Sequence, residues 1–130
     1  MNRTAYWHEM ISKRNIGALD ELLADNATFH SPVVHTPQEG KPLVKLYLSS
    51  AFSVLLNDSF SYVREVESGT NTILEFQLQL NGISVNGVDM IEWDDNGQIK
   101  DFKVMLRPLK GMQQVQIEMA KMLEKAKSKG

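Results

Sequence analysis

Asp89 is the residue of this chain whose position most needs a chemical explanation. It lies in the β-rich run Ile83-Ser84-Val85-Asn86-Gly87-Val88-Asp89-Met90-Ile91-Glu92-Trp93. Strand alternation puts Val85, Asp89, Ile91 and Trp93 on one face, with Ser84, Asn86, Val88, Met90 and Glu92 on the other. A carboxylate in a row of large apolar neighbours is costly unless it is paired, hydrogen-bonded or kept protonated. Lys103 and Arg107 cannot pair with it on that face, because they alternate out of phase with Phe102 and Leu106. Lys103 is read as solvated or at a subunit interface. Desolvation without a paired charge predicts a raised pKa for Asp89, hence a hydrogen-bond donor or general acid/base in a greasy pocket. His30 and His35 are the other candidates for proton chemistry, since an ordinary imidazole titrates near neutral pH. With Asp89 they could form a facial metal triad, but no His-x-His or His-x-x-x-His spacing supports one, so no metal is expected. Tyr47 and Tyr62 sit on apolar stripes with hydroxyls to satisfy, and are expected as core tyrosines with their tips at the surface.

The elements that must position these residues follow from periodicity. Asp94-Asp95-Asn96-Gly97 joins the Asp89 run to a second run, Ile99 to Arg107, and Asn-Gly favours the positive φ of a tight hairpin turn. Residues 3–14 predict a first helix with Tyr6, Trp7, Met10 and Ile11 on one side. Asn15 can cap a second helix over 16–24, and a short strand over 27–31 stops at Pro32. A loop carrying His35 leads to a long helix from Pro42 to about Leu56, whose stripe is Val44, Tyr47, Leu48, Ala51, Phe52 and Leu55. In the strand over 60–67, Phe60, Tyr62 and Val66 are expected on one face. The run from Ile73 to Leu80 alternates cleanly, with Leu74, Phe76, Leu78 and Leu80 inward, so its sheet has one dry face. Gly87 weakens its strand or marks a bulge. Pro108 opens a C-terminal helix with Met112, Val115, Met119 and Met122 at helical spacing.

The 130 residues suit one domain, 1–130, with a real core. A formal charge of -2 gives no basic surface for nucleic acid. The chain has no cysteine, which excludes disulfides, thiolate catalysis and cysteine-ligated metal. No signal-peptide core and no membrane-spanning run is present, so the expected location is cytoplasmic. Val88, Met90, Ile99 and Met105 do not all fit on the core face, and apolar residues on a second face need cover. A homodimer through the sheet is expected, with the C-terminal helix as another possible cover.

The order of elements is helix, helix, strand, helix, then four long strands, an α+β solution. Within it, Gly17-Ala18-Leu19-Asp20, Leu22 to Phe29, Pro32, Gly40, Val88-Asp89 and Trp93 to Ile99 are similar to the nuclear transport factor 2-like superfamily, specifically its ketosteroid isomerase-like and SnoaL-like (polyketide cyclase) branch. The resemblance runs from about Tyr6 to Leu109 and implies a cone-shaped fold, N-terminal helices packed against a curved antiparallel sheet, with an extra C-terminal helix. It implies binding of a small, largely apolar molecule, with isomerase, cyclase or lyase chemistry assisted by Asp89; the alternative is a non-catalytic ligand-binding or dimeric assembly module. No cofactor is implied. Asp89 matches the aspartic acid that ketosteroid isomerase keeps protonated, a precedent of the family and not a derivation. The carboxylate base of that enzyme matches Ser31, and its oxyanion tyrosine falls on Trp7. The resemblance places Trp7, Ser31, Tyr47, Phe52, Tyr62, Leu74, Phe76, Phe102 and Leu106 around the ligand, with His30 and His35 as substitute bases.

Overall fold

A computed structural model of the chain describes residues 3–129. Helix α1 (Arg3–Ser12) is followed by a 3₁₀ turn (Ile16–Ala18), a single helical turn α2 (Leu19–Leu22), strands β1 (Leu23–His30) and β2 (Gln38–Glu39), and helix α3 (Lys41–Leu55). Four strands then run in succession: β3 (Ser61–Ser68), β4 (Asn71–Leu80), β5 (Ile83–Trp93) and β6 (Ile99–Arg107). Helix α4 (Leu109–Lys129) ends the chain. Among the described residues no helix is long and apolar enough to cross a membrane.

The six strands form one sheet in the order β2-β1-β6-β5-β4-β3. This corrects the expected cone. The sheet is open, with β2 and β3 as separate edges, and it neither closes nor curls strongly on itself. Nor is it wholly antiparallel, because β1 runs parallel to β6 through Phe29↔Phe102 and His30↔Lys103. The four later strands form the expected antiparallel meander.

Cross-strand partners share a face, so the register locates the core. Leu74↔Asp89↔Val104 and Thr72↔Ile91↔Phe102 all point to the helical side. Helix α1 meets that face through Thr4, whose hydroxyl lies 3.0 Å from that of Thr72. Helix α4 reaches it at Gly111, where a Cβ would stand 3.3 Å from Val85. Val115 and Met119 of α4 are buried in the same core, so α4 covers the dry face and leaves the second face open. Rings fill the interior: Trp7 packs on Phe52 and Phe102 at centroid distances of 5.6 and 5.4 Å, and Phe102 on Phe29 at 6.2 Å.

Three local departures from the expected elements have physical causes. The second helix stops at Leu22 because Leu23 is already extended (φ -84°, ψ 132°) and joins β6 opposite Ile99. Asp25 and Asn26 then lie exposed in an irregular stretch of β1. In β3 the register slips between Tyr62 and Arg64, so Glu65 takes the inward position opposite Leu74 and Val66 turns out, 55% exposed. A second slip near Trp93 puts Ile99 in the core. Gly87 marks no bulge in its ladder with β4. A Cβ there would lie 2.5 Å from Phe76 Cζ and 2.6 Å from Leu106 Cδ2, so the missing side chain makes room for two core residues.

Candidate functional site

Strand β5 carries Asp89 into the core, where it is 4% exposed between Leu74 and Val104 in the register. Its partner is a phenol: Tyr62 Oη donates to Asp89 Oδ2 at 3.1 Å. Trp7 Nε1 in turn donates to Tyr62 Oη at 3.0 Å. The polarity of this chain is set at its start, because an indole N–H can only donate. The tyrosine therefore accepts from Trp7 and passes its own proton toward Asp89.

The electrostatics agree with that direction. Burial raises Asp89 from the ordinary carboxyl value of 3.8 to about 7, against the hydrogen bond from Tyr62, which lowers it. Burial, with the Asp89 charge beside it, holds the Tyr62 phenol well above its ordinary 10. At neutral pH the phenol keeps its proton, and Asp89 is balanced between acid and carboxylate. When protonated it has an O–H to donate inside an apolar site.

Tyr62 thus turns its hydroxyl inward, opposite to the surface tip expected from the sequence. It is braced by His8 and Phe60, with ring centroids at 5.2 and 5.1 Å. Phe52, Leu74, Phe76 and Phe102 surround this centre as buried core. Tyr47 lies apart, half-buried against Phe29. Trp93, although it shares the face of Asp89, is committed elsewhere: its Nε1 donates to Thr72 Oγ1 at 3.0 Å.

The histidines do not join Asp89. His30 follows core-facing Phe29 and turns to the other face, where Nε2 lies 2.9 Å from Asp101 Oδ1. That placement separates it from Asp89 and from any shared metal. His30, Ser31 and His35 instead meet in a cleft of about 560 Å³ where β1 runs into the loop before β2. Leu106, Val104, Lys103 and Met112 complete its walls. The volume is that of an ordinary small-molecule site. Ser31 Oγ accepts the backbone N–H of Val33, which leaves its hydroxyl proton available. Val104 is both a wall of this cleft and the cross-strand partner of Asp89, so the cleft reaches the strand position opposite the buried carboxyl. Lys103, Val104 and Met112 were not legible as lining residues, because the parallel β1–β6 pairing that assembles the cleft has no local signature. A larger cleft of about 700 Å³ lies among α1 and the turns at Gly69 and Gly97, away from both groups.

Residues 4–102 match the model of the SnoaL-like domain family. No curated protein sequence matches the chain significantly. Among solved structures, the chain is similar to one described as a steroid delta-isomerase from Pseudomonas aeruginosa. The two are 37% identical, with a TM-score of 0.91 over 97% of this chain and 92% of that one. It is also similar to an uncharacterized bacterial protein with a cystatin-like fold from Silicibacter pomeroyi, at 28% identity and a TM-score of 0.83, over 91% of this chain and 82% of the other. An NTF2-like protein of unknown function from Mesorhizobium loti shares the fold at 16% identity and a TM-score of 0.69, over 82% and 88% of the two chains. By sequence and by fold, the chain belongs to the SnoaL-like domain family, in the ketosteroid isomerase-like branch of the nuclear transport factor 2-like superfamily.

Proposed function

We propose that this protein binds a small, largely apolar molecule bearing an oxygen, and that protonated Asp89 donates a hydrogen bond to that oxygen. The observation that carries this reading is the buried Asp89, which has a phenol as its partner and an apolar setting that raises its pKa to about 7. The cleft that reaches its cross-strand partner Val104 is the way in. Support also comes from the 37% identical structure described as a steroid delta-isomerase, whose substrate class is apolar and oxygen-bearing. Reaction on the ligand would fall to His30 or His35, the imidazoles that line the cleft. No carboxylate among the described residues lines the cleft, and binding is the activity the geometry supports best.

A pair of variants tests the donor. Asp89→Asn keeps the size and a donor, whereas Asp89→Leu keeps the volume and removes it. Titration with a 3-oxo steroid, followed by tryptophan fluorescence, should give similar affinity for the wild type and Asp89→Asn. Asp89→Leu should bind about tenfold more weakly, the order of one hydrogen bond. Unchanged binding by a folded Asp89→Leu protein would remove Asp89 from the site.

A further inference from the structure

We infer that the ligand of the cleft between β1 and the loop before β2 is a carboxylate, its head held at the rim by Lys103, His35 and Ser31 and its apolar body lying on Val104, Leu106 and Met112. The inference rests on the binding reading above and adds the charge of the ligand. Although the chain is net negative by formal count, no aspartate or glutamate among the described residues lines this cleft, while two of the three histidines and Lys103 do. The larger cleft at the other end of the sheet is lined by three carboxylates, Glu21, Glu67 and Asp95, and one cation, Arg3. The two clefts therefore differ in the balance of charge on their walls.

Within the cleft, the basic side chains differ in availability. His30 is occupied by Asp101, the carboxylate that stands two positions before Lys103 on the same face of β6. Lys103 is half-buried and has no ion-pair or hydrogen-bond partner among the described residues. A half-buried ammonium with no carboxylate bound to it can take an incoming carboxylate through a charge-assisted hydrogen bond. His35 is exposed beside it, and Ser31 still has a hydroxyl proton to give because its oxygen accepts from Val33. Facing these polar groups are Val104, Leu106 and Met112, together with Pro32 and Pro37. One rim that wants an anion and one wall that wants hydrocarbon describe an amphipathic acid.

The test compares octanoate with 1-octanol, which share chain length and differ in charge, by amide chemical-shift titration of the full chain and of Lys103→Met. Octanoate should bind the wild type at least tenfold more tightly than 1-octanol, with shifts at His35, Val104 and Leu106. Lys103→Met, which stays aliphatic and keeps the strand, should lose most of that preference and keep its affinity for 1-octanol. Equal affinities in the wild type, or a preference that survives Lys103→Met, would overturn the anion site while leaving the apolar cleft in place. If neither compound shifts the cleft amides, the binding reading fails together with this one.

Discussion

Replacing Asp89 by Asn should stabilise the protein at alkaline pH and leave it nearly unchanged at acid pH. The carboxyl is 4% exposed and its value rises from 3.8 to about 7 on folding, mainly through desolvation. A raised value means that the folded protein holds the proton more tightly than the unfolded chain does. The stability linked to that proton is fully present below about 3.8 and is lost as pH rises through about 7. At about 1.4 kcal/mol per unit, the wild type gives up as much as about 4 kcal/mol between those limits. Water entry and movement of Tyr62 would reduce that figure, so it is an upper bound. Asn is neutral throughout and can still accept from Tyr62 Oη, so it avoids the loss. Urea unfolding of both proteins at half-unit steps from pH 4.5 to 8.5 reads the difference directly. The stability gap should open in favour of the variant as pH rises toward about 7 and level off above it. A gap that stays constant across the range would show that Asp89 does not titrate there, and the account of its burial would be refuted. Tyr62→Phe supplies an independent arm. Removing the phenol that lowers Asp89's value should push the wild-type pH window higher. It should also cost about 1–3 kcal/mol for the buried Trp7 N–H left without its acceptor.

Three further outcomes are expected. Gly87→Ala should lower stability by about 1–3 kcal/mol in thermal or chemical unfolding, because its Cβ would meet Phe76, Leu106 and the Met105 carbonyl oxygen at 2.5–2.9 Å. Light scattering at micromolar concentration should give twice the 14.7 kDa chain mass, since Val88, Met90 and Met105 lie on the sheet face that no helix covers, Met105 being 54% exposed; a single-chain mass would end the dimer proposal. Isomerisation of a 3-oxo-Δ5 steroid, followed by absorbance of the conjugated enone, should fall about 10²–10⁴-fold below an enzyme with a carboxylate base, because Ser31 follows the end of β1 and no carboxylate among the described residues lines the cleft; turnover at full rate would show that His30 or His35 acts as the base.

The parts of the fold that periodicity could carry were legible. The Asp94–Gly97 hairpin, the α3 stripe and the inward row of β4 all stand where alternation and helical spacing put them. Failures occur where one residue changes the count. The slip between Tyr62 and Arg64 exchanges the roles of Glu65 and Val66, and the inward Glu65 then meets His8 of α1 at 2.5 Å. Glu65 stays solvent-accessible there because β3 is an edge strand. Ile99 moves from the second face to the core through the second slip, near Trp93. The single-turn α2 followed at once by β1 is a tertiary effect, because Leu23 satisfies its backbone on a strand that lies about seventy residues later in the chain.

The candidate site shows the same division in sharper form. Asp89 was visible because alternation is a local rule and a carboxyl among Val85, Ile91 and Trp93 breaks it. Its partner Tyr62 was not visible, because it comes from a distant edge strand, and Trp7 of the first helix, a candidate partner by sequence, donates to that phenol instead of to Asp89. Both residues are individually ordinary members of apolar stripes. Only the assembled core shows that the indole N–H must find an acceptor, that the phenol supplies it, and that the phenol's own proton then has one direction in which to go. That sequence of constraints also separates Asp89 from the histidines. An imidazole serving it would have to face the core, yet β1 places Phe29 there and turns His30 toward Asp101. The proton on Asp89 is therefore controlled by burial and one phenol, and the cleft beyond Val104 receives its charge from a different set of residues altogether.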